Sequence, residues 1–170
     1  VEDIVEDKQQ RLWIAAHTGL HYYNSENQRF EPYVNDSKSV SNLLSGKIFR
    51  IMVDKANNLW ISILHKGICI LDQSKKTAEF YSNDKVDKKS ITNNWIVRFY
   101  EDRQGNIWLG TASAGLKLFN PKTKTFKQYF PDPANPYSLR VRSIFEDNNG
   151  NLFVGTRNGL YMLDLHSDKF

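Results

Sequence analysis

The sequence contains a single cysteine, Cys69, and no long uninterrupted hydrophobic segment. One thiol cannot build a disulfide framework or a cysteine-based metal site. Without a long apolar segment, we expect neither a secretory leader nor a membrane-spanning helix within this segment. Because Cys69 lies in the apolar segment 68–71, we expect it to be a small buried hydrophobic residue.

Helical periodicity is also missing. No stretch of ten or more residues repeats its apolar positions every 3.6 residues, and polar turn clusters arrive every six to ten residues. This spacing disfavours repeats built from helices. It favours short β-strands joined by polar turns.

Charge of one sign is not concentrated anywhere in the chain. The net charge is +4, and the longest basic runs are Lys75-Lys76 and Lys88-Lys89, both in expected turns. Since no basic stripe exists, we expect neither a nucleic-acid partner nor a membrane contact within this segment. The loop acids Asp36, Asp84, Asp87 and Asp132 show no recognisable pairing.

A short pattern occurs four times in the chain. Each copy begins with an aspartate, has a large aromatic residue six positions later, and has a glycine twelve or thirteen positions after the aspartate. Successive aspartates are 47, 48 and 45 residues apart, a period typical of solenoids, propellers and arrays. The copies contain Asp7, Trp13 and Gly19; Asp54, Trp60 and Gly67; Asp102, Trp108 and Gly115; and Asp147, Phe153 and Gly159.

Each copy predicts a small antiparallel meander. In the third copy, segments 96–100, 107–109, 116–119 and 125–129 have strand composition and are separated by turn residues. The second strands, such as 107–109, are apolar on both faces, so both faces of the sheet need cover. Sheets stacked face to face around an axis provide that cover, with the repeated aromatic wedged between neighbours.

We therefore predict an all-β fold: a β-propeller domain over residues 1–170, built from about four antiparallel four-stranded blades. The repeats cover approximately residues 1–34, 46–82, 94–130 and 139–170. The chain opens inside a first strand and stops where a last fourth strand should begin, so we expect a piece of a longer protein. Four blades can close alone, belong to a larger ring, or close with a second copy.

The copies spell Asp-x-x-Gly-Asn-(Leu/Ile)-Trp-(Ile/Leu)-Gly-Thr, followed by Gly-Leu and a Phe-x-x-Tyr pair. The best matches are 102–111 and 147–156, and the trailing pairs are Phe30/Tyr33 and Phe126/Tyr129, with Ala78/Tyr81 a weakened form. This pattern resembles the two-component regulator propeller repeat. The first two copies depart from it, with Ala15-Ala16 and Ser62-Ile63 in place of Gly-Thr.

The resemblance implies the periplasmic sensor region of a Bacteroides-type hybrid two-component system. Such a protein has two large propellers, an immunoglobulin-like domain, one membrane helix and a cytoplasmic histidine kinase. The resemblance also implies detection of carbohydrate breakdown products, so an oligosaccharide ligand is expected. This segment contains no kinase, membrane-helix or immunoglobulin-like part.

Candidate ligand contacts come from residues that break the repeat, because repeated positions build the scaffold. In a propeller, the turns after the second strands share a rim with the connections between blades, here 35–45, 83–94 and 131–139. An aromatic ring beside cationic or amide donors suits a polyhydroxylated or acidic ligand. The candidates are His17, His65, Lys66, Trp95, Tyr137, Arg140, Arg142 and Arg157.

Plainer interpretations stay open for several of these residues. Trp95 also suits a core position, and Arg140 and Arg142 also suit solvated loops. His17 and His65 lack a carboxylate partner at ligand spacing, so no metal is expected. The repeated aspartates are expected to cap turns and the repeated glycines to take positive φ or closely packed positions.

Three functions remain at this point: a sensor, a protein-interaction or dimerisation scaffold, and a propeller glycoside hydrolase or lyase. The last is least favoured, because no paired carboxylates, no Gly-x-Ser-x-Gly elbow and no phosphate-binding glycine motif occur. We expect a non-enzymatic segment without a cofactor.

Overall fold

The structure, a computed structural model, describes residues 1–74, 77–84, 90–91, 93–165 and 167–170. The basic pairs Lys75-Lys76 and Lys88-Lys89, together with Asp87, lie outside the described residues. Contacts divide the chain into two compact units, Val1–Tyr81 and Ser82–Phe170. Each unit contains two antiparallel sheets whose strands follow one another in chain order, as the sequence predicts.

Unit 1 holds the first two sheets and a short helix between them. Sheet 1 consists of β1 (Asp3–Glu6), β2 (Leu12–Ala16), β3 (Gly19–Asn24) and β4 (Arg29–Pro32). The helix α1 (Lys38–Leu44) follows in the connection that the sequence treats as a loop. Sheet 2 consists of β5 (Ile48–Val53), β6 (Asn58–Ile63), β7 (Gly67–Asp72) and β8 (Thr77–Tyr81).

Unit 2 holds the other two sheets. Sheet 3 consists of β9 (Ile96–Glu101), β10 (Ile107–Thr111), β11 (Leu116–Asn120) and β12 (Thr125–Tyr129). Sheet 4 has three strands in the described residues, β13 (Val141–Glu146), β14 (Leu152–Thr156) and β15 (Gly159–Leu163). An isolated antiparallel bridge then joins Asp164 and Lys169. The all-β prediction is confirmed.

The second strands are buried on both faces, in keeping with their uninterrupted apolar sequences. Every residue of β10 is buried, and in β6 only Asn58 is partly exposed. Cys69 is also buried, on β7, and burial raises the pKa of its thiol to about 12. A thiol of that kind packs as a small hydrophobic side chain.

Large aromatic residues fill the space between the two sheets of each unit. In unit 1, Trp13 packs in one cluster with Ile61 and Leu71 of sheet 2. In unit 2, Trp108 packs with Val141 and Val154 of sheet 4. The sequence pattern therefore places the indoles correctly, and their burial supplies much of the apolar area that holds each pair of sheets together.

The trailing tyrosines of the repeat complete these clusters. The ring of Tyr33 meets Trp13 edge-on at 5.2 Å between centroids, and the ring of Tyr129 lies 5.5 Å from Trp108. Tyr129 is the last residue of β12, and Tyr33 directly follows the last residue of β4. The Phe-x-x-Tyr pattern thus marks the place where the end of the fourth strand contacts the repeated tryptophan.

Each repeated aspartate caps its own turn, and three of them also bind the repeated tryptophan. Asp102 Oδ1 accepts the backbone N–H of Asn106 at 2.8 Å. Its Oδ2 accepts the Asn106 side-chain amide at 2.8 Å and the Trp108 indole N–H at 2.9 Å. The same indole bond is 2.8 Å long at Asp7–Trp13 and at Asp54–Trp60.

The fourth copy lacks this bond because phenylalanine replaces tryptophan. Asp147 accepts the backbone and side-chain amides of Asn151, and these bonds lower the pKa of its carboxyl group. The Asp147 carboxylate is also less buried than that of Asp102. The repeated aspartate therefore caps its turn in all four repeats, and in the first three it also accepts a hydrogen bond from the tryptophan indole.

One face of sheet 4 is apolar and uncovered. Phe145 lies opposite Phe153, and Phe153 lies opposite Met162, so the three form a row across the strands. Phe145 is 61% exposed and Met162 48% exposed. The corresponding faces of sheets 1 and 3, which carry Trp13 and Trp108, are covered by the next sheet of their unit.

Candidate functional site

The structure places the eight rim candidates in both units. His17, His65 and Lys66 lie in turns of unit 1, and the other five lie in unit 2. All eight side chains belong to exposed residues. Each unit is therefore considered by itself, beginning with the turns of unit 1.

His17 contacts a carboxylate next to the first strand of its own sheet. Its Nε2 contacts the Oε1 carboxylate oxygen of Glu2, and this hydrogen bond is the main cause of the lowered pKa of the Glu2 carboxyl. His65 has a φ of +61°, so its backbone forms the turn between β6 and β7. Both turn histidines therefore contribute to the local structure of unit 1, whatever they bind.

Three candidates of unit 2 form one cluster, which we name the Tyr137 cluster: Tyr137, Arg140 and Arg157. The guanidinium carbon of Arg157 lies 5.1 Å from the centre of the Tyr137 ring, and that of Arg140 lies 5.9 Å from it. The Arg157 amide also donates to the Arg140 carbonyl at 3.0 Å. The result is an exposed ring flanked by two cations.

The remaining candidates of unit 2 lie at the starts of first strands. Trp95 is 40% exposed, and its carbonyl accepts the amide of Ala112 in the β10–β11 turn at 3.0 Å. Arg142 lies at the register shift between Val141 and Ser143 on β13. Such a bulge turns a side chain away from the regular face of a strand.

The chemistry of the Tyr137 cluster favours anionic or hydroxyl-rich groups. Two guanidinium groups provide planar pairs of N–H donors, and the tyrosine ring provides an apolar face and a hydroxyl. The cations remain hydrated because they are exposed, so each contact is individually weak. No described residues form a group of three or more His, Cys, Asp or Glu side chains suited to a metal ion.

Unit 1 contains a cavity that the rim argument does not predict. A space of about 240 Å³ lies between the end of sheet 1 and the β7–β8 turn, and it is lined by Arg11, Tyr33, Asn35, Asp36, Asp72 and Gln73. A second space of about 470 Å³ shares Arg11, Trp13 and Tyr33 with the first and adds Tyr22 and Glu31. We name the two together the Arg11 cavity.

Arg11 is held in this cavity by its own repeat. Its Nε donates to Asp7 Oδ2 at 2.8 Å, its guanidinium carbon lies 5.3 Å from the centre of the Trp13 ring, and its Nη2 donates to Gln73 Oε1. Burial opposes ionisation of Asp7, but the hydrogen bonds from Trp13 and Arg11 outweigh it and lower its pKa. These contacts fix the position of the Arg11 side chain.

One sequence signal points to Arg11. The residue four positions after the repeated aspartate is asparagine in the other three copies: Asn58, Asn106 and Asn151. Arginine at this position breaks the repeat outside the rim loops, so a search limited to the rim misses it. Gln73 has no comparable sequence signal, because it lies in an ordinary polar turn.

Comparison with known proteins identifies the repeats. Residues 90–113 and 138–158 match the model of the two-component regulator propeller family. These two segments are similar to two-component regulator propeller repeats. No curated protein matches the chain.

Solved structures show that the fold is a β-propeller. The extracellular domain of BT4673 from B. thetaiotaomicron, a protein assigned to the hybrid two-component systems, is 24% identical with a TM-score of 0.77, over 99% of this chain and 23% of that chain. For the extracellular domain of BT3049 from the same organism, the values are 22%, 0.67, 98% and 29%. The chain therefore spans about a quarter of the length of these two structures.

This chain is also more distantly similar to an enzyme of the same fold. Virginiamycin B lyase from Staphylococcus aureus is 11% identical with a TM-score of 0.67, over 95% of this chain and 51% of that chain. At this identity the likeness concerns the fold alone, since one fold supports many functions. No helix in the described part of this chain is long and apolar enough to cross a membrane.

Proposed function

We propose that the chain is part of an extracytoplasmic, periplasmic sensor propeller of a two-component system. The two matching repeats carry this proposal. The chain binds carbohydrate breakdown products without converting them, and the longer protein relays binding to a histidine kinase. The structural likeness to extracellular domains of two-component systems supports this role.

The Tyr137 cluster is the proposed contact for acidic saccharides. The flanking guanidinium groups of Arg140 and Arg157 pair with a carboxylate or sulfate, while the Tyr137 ring packs on a sugar face. Trp95 and Arg142 extend the same proposal within unit 2. His17, His65 and Lys66 are proposed contacts in unit 1, with His17 the weakest because Glu2 already occupies it.

Calorimetry with an acidic disaccharide, digalacturonic acid, tests this proposal. We expect measurable heat that is lost in Tyr137→Ala and Arg157→Ala, reduced in Trp95→Ala and Arg142→Ala, and retained in Lys122→Ala. Lys122 is an exposed cation in the β11–β12 turn and serves as the control. Equal heat in all five variants contradicts the site, and release of reducing ends from the sugar contradicts a non-enzymatic role.

The uncovered face of sheet 4 supports a second candidate function, self-association. On sheets 1 and 3, the face that carries the repeated tryptophan packs on the next sheet of its unit, whereas on sheet 4 the matching face is exposed. The opposite face of sheet 1 exposes Ile4 and Phe30. We propose that sheet 4 of one copy packs on sheet 1 of a second copy.

Light scattering of the purified chain tests self-association. We expect oligomers that dissociate when the apolar row is made polar in Phe145→Ser or Met162→Ser. Lys122→Ala again serves as the control. A monomer at every concentration contradicts the scaffold proposal and leaves the sensor proposal unaffected.

A further inference from the structure

Arg11 stands where the other three repeats have an asparagine, and it makes the same hydrogen bond to the repeated aspartate. Asn58, Asn106 and Asn151 each donate their side-chain amide to Oδ2 of the repeated aspartate at 2.8 Å. Arg11 makes the same bond with Nε, also at 2.8 Å. The scaffold needs nothing more at this position, so the outer end of the guanidinium group makes other contacts. Its Nη2 donates to Gln73 Oε1 and to Gln9 Oε1, and Nη1 has no hydrogen bond to any described residue.

That outer end lies in the Arg11 cavity, next to a buried amide group with unused donor capacity. Gln73 Oε1 accepts from Arg11, whereas Gln73 Nε2 is buried and has no hydrogen-bond partner among the described residues. Leaving a buried amide N–H unpaired is costly. Rotation of the amide toward the cavity would let a ligand accept a hydrogen bond from Gln73 Nε2 and remove this cost.

Acceptors and aromatic surfaces complete the cavity. Asp36 and Asp72 contribute carboxylates on the side of the β7–β8 turn, and Asn35 contributes an amide. Trp13, Tyr22 and Tyr33 form the aromatic walls, with Tyr33 meeting Trp13 edge-on. Donors and acceptors around flat apolar walls match a ring that carries hydroxyl groups.

The charged groups that line the Arg11 cavity decide which class of sugar ring can bind there. Asp7 already pairs with Arg11, and three further carboxylates add negative charge to the lining, those of Asp36, Asp72 and Glu31. An anionic sugar is repelled by these carboxylates, and a purely cationic ligand meets Arg11. An uncharged hydroxyl both donates to the carboxylates and accepts from Arg11 and Gln73.

We propose that the Arg11 cavity is a binding site for an uncharged, hydroxyl-rich ring, a neutral monosaccharide or disaccharide. The larger space, about 470 Å³, falls in the range of small-molecule sites, and the smaller one, about 240 Å³, shares Arg11, Trp13 and Tyr33 with it. This proposal rests on the proposed sensor function, and it adds neutral sugars to the acidic saccharides already proposed as ligands. It is separate from the Tyr137 cluster, which favours acidic sugars.

The NMR signals of the tryptophan indole N–H groups report binding at each of the two proposed sites. In the chain labelled with ¹⁵N-tryptophan, Trp13 reports on the Arg11 cavity and Trp95 on unit 2. We expect cellobiose, maltose or xylobiose to shift the Trp13 signal in a saturable way, and digalacturonic acid to leave it unmoved. Failure of all neutral sugars to shift Trp13 overturns the site.

Arg11→Asn is the decisive variant, because it installs the residue that three repeats already carry. The bond to Asp7 and the melting temperature are expected to persist, while the Kd for the neutral sugar rises about tenfold or more. Gln73→Leu tests the second donor, and Lys122→Ala, an exposed cation in the β11–β12 turn, is the matched control. An unchanged Kd in a folded Arg11→Asn chain overturns the proposal.

The outcomes separate this site from the sensor function. If neutral sugars fail while digalacturonic acid binds and Arg157→Ala abolishes that binding, the Arg11 site is wrong and the sensor proposal stands. If neither sugar class binds, both are wrong. If neutral binding is lost in Arg157→Ala and kept in Arg11→Asn, the ligand class is right and the location is wrong.

Discussion

Asp102 and Trp108 are joined by a 2.9 Å hydrogen bond from the indole N–H to a carboxylate that is almost fully buried. The bond links the turn before β10 to the aromatic residue in the core of unit 2. Because the same carboxylate caps the turn, removal of its charge affects both features. Charge-assisted bonds of this kind are stronger than neutral ones.

Asp102→Asn is expected to lower the free energy of unfolding by about 2–4 kcal/mol. Asparagine has one acceptor oxygen, so its NH2 group must face either the Asn106 backbone N–H or the side-chain donors of Asn106 and Trp108. Asp147→Asn is the control, because no indole faces that aspartate, and it is expected to cost about 1 kcal/mol or less. Urea denaturation of the two variants measures the difference. Equal losses would show that the indole bond contributes nothing.

Trp60→Ala is expected to cost about 3–5 kcal/mol, as large core truncations do. The Trp60 side chain is buried, and its N–H is bonded to Asp54 at 2.8 Å. Phe153→Ala at the matching position of the last repeat is expected to cost about 1–2 kcal/mol, because Phe153 is only half-buried. Thermal melts compare the two; an unchanged melt for Trp60→Ala argues against the packing described.

Lys117→Met is expected to stabilise the chain. The Lys117 side chain is fully buried on β11, its Nζ has no hydrogen-bond partner among the described residues, and desolvation lowers its pKa to about 8. A shift from 10.5 to about 8 corresponds to a penalty of about 3 kcal/mol at neutral pH. Denaturant titration at pH 7 measures the gain.

The pH dependence of this effect has a definite sign. Between about pH 8 and pH 10.5 the unfolded chain binds more protons at Lys117 than the folded chain, so stability rises with pH across this window. Below about pH 8 the penalty is complete. The advantage of Lys117→Met should therefore shrink as the pH approaches 10.5; a constant advantage would assign it to packing alone.

Gly115→Ala is expected to cost about 2–4 kcal/mol, which combines backbone strain with a steric clash. Gly115 has a φ of +72°, and an added Cβ would lie 2.5 Å from the Tyr129 carbonyl oxygen. Gly105 has a similar φ of +84°, but its nearest neighbour would be a side-chain oxygen at 3.8 Å. Gly105→Ala is therefore the control, and equal melting temperatures would exclude the clash.

The sequence predicts the strands closely because its turn residues recur at fixed offsets from each aspartate. Strands β9 to β12 begin where the third copy predicts them and end within two residues of it. Helix α1 is missed because seven residues span about two turns, too few for a periodicity to register. Burial of the repeated tryptophans follows from the apolar second strands.

Contacts between distant side chains are harder to predict. The six-residue offset from aspartate to tryptophan is visible in the sequence, but only the folded turn brings the carboxylate to the indole. Lys117 stands between Leu116 and Leu118, an alternation that predicts an exposed lysine. The Arg11–Gln73 contact joins two repeats, so neither repeat alone reveals it.

The replacement of tryptophan by Phe153 has a consequence for the dynamics of the last repeat. The β13–β14 turn is held to its strand by short-range amide bonds, with no indole tying it to the hydrophobic interior. Backbone amides there should exchange with deuterium sooner than those of the β9–β10 turn. Sheet 4 would then be the first part of unit 2 to open, which leaves it the most adaptable surface for a neighbouring sheet.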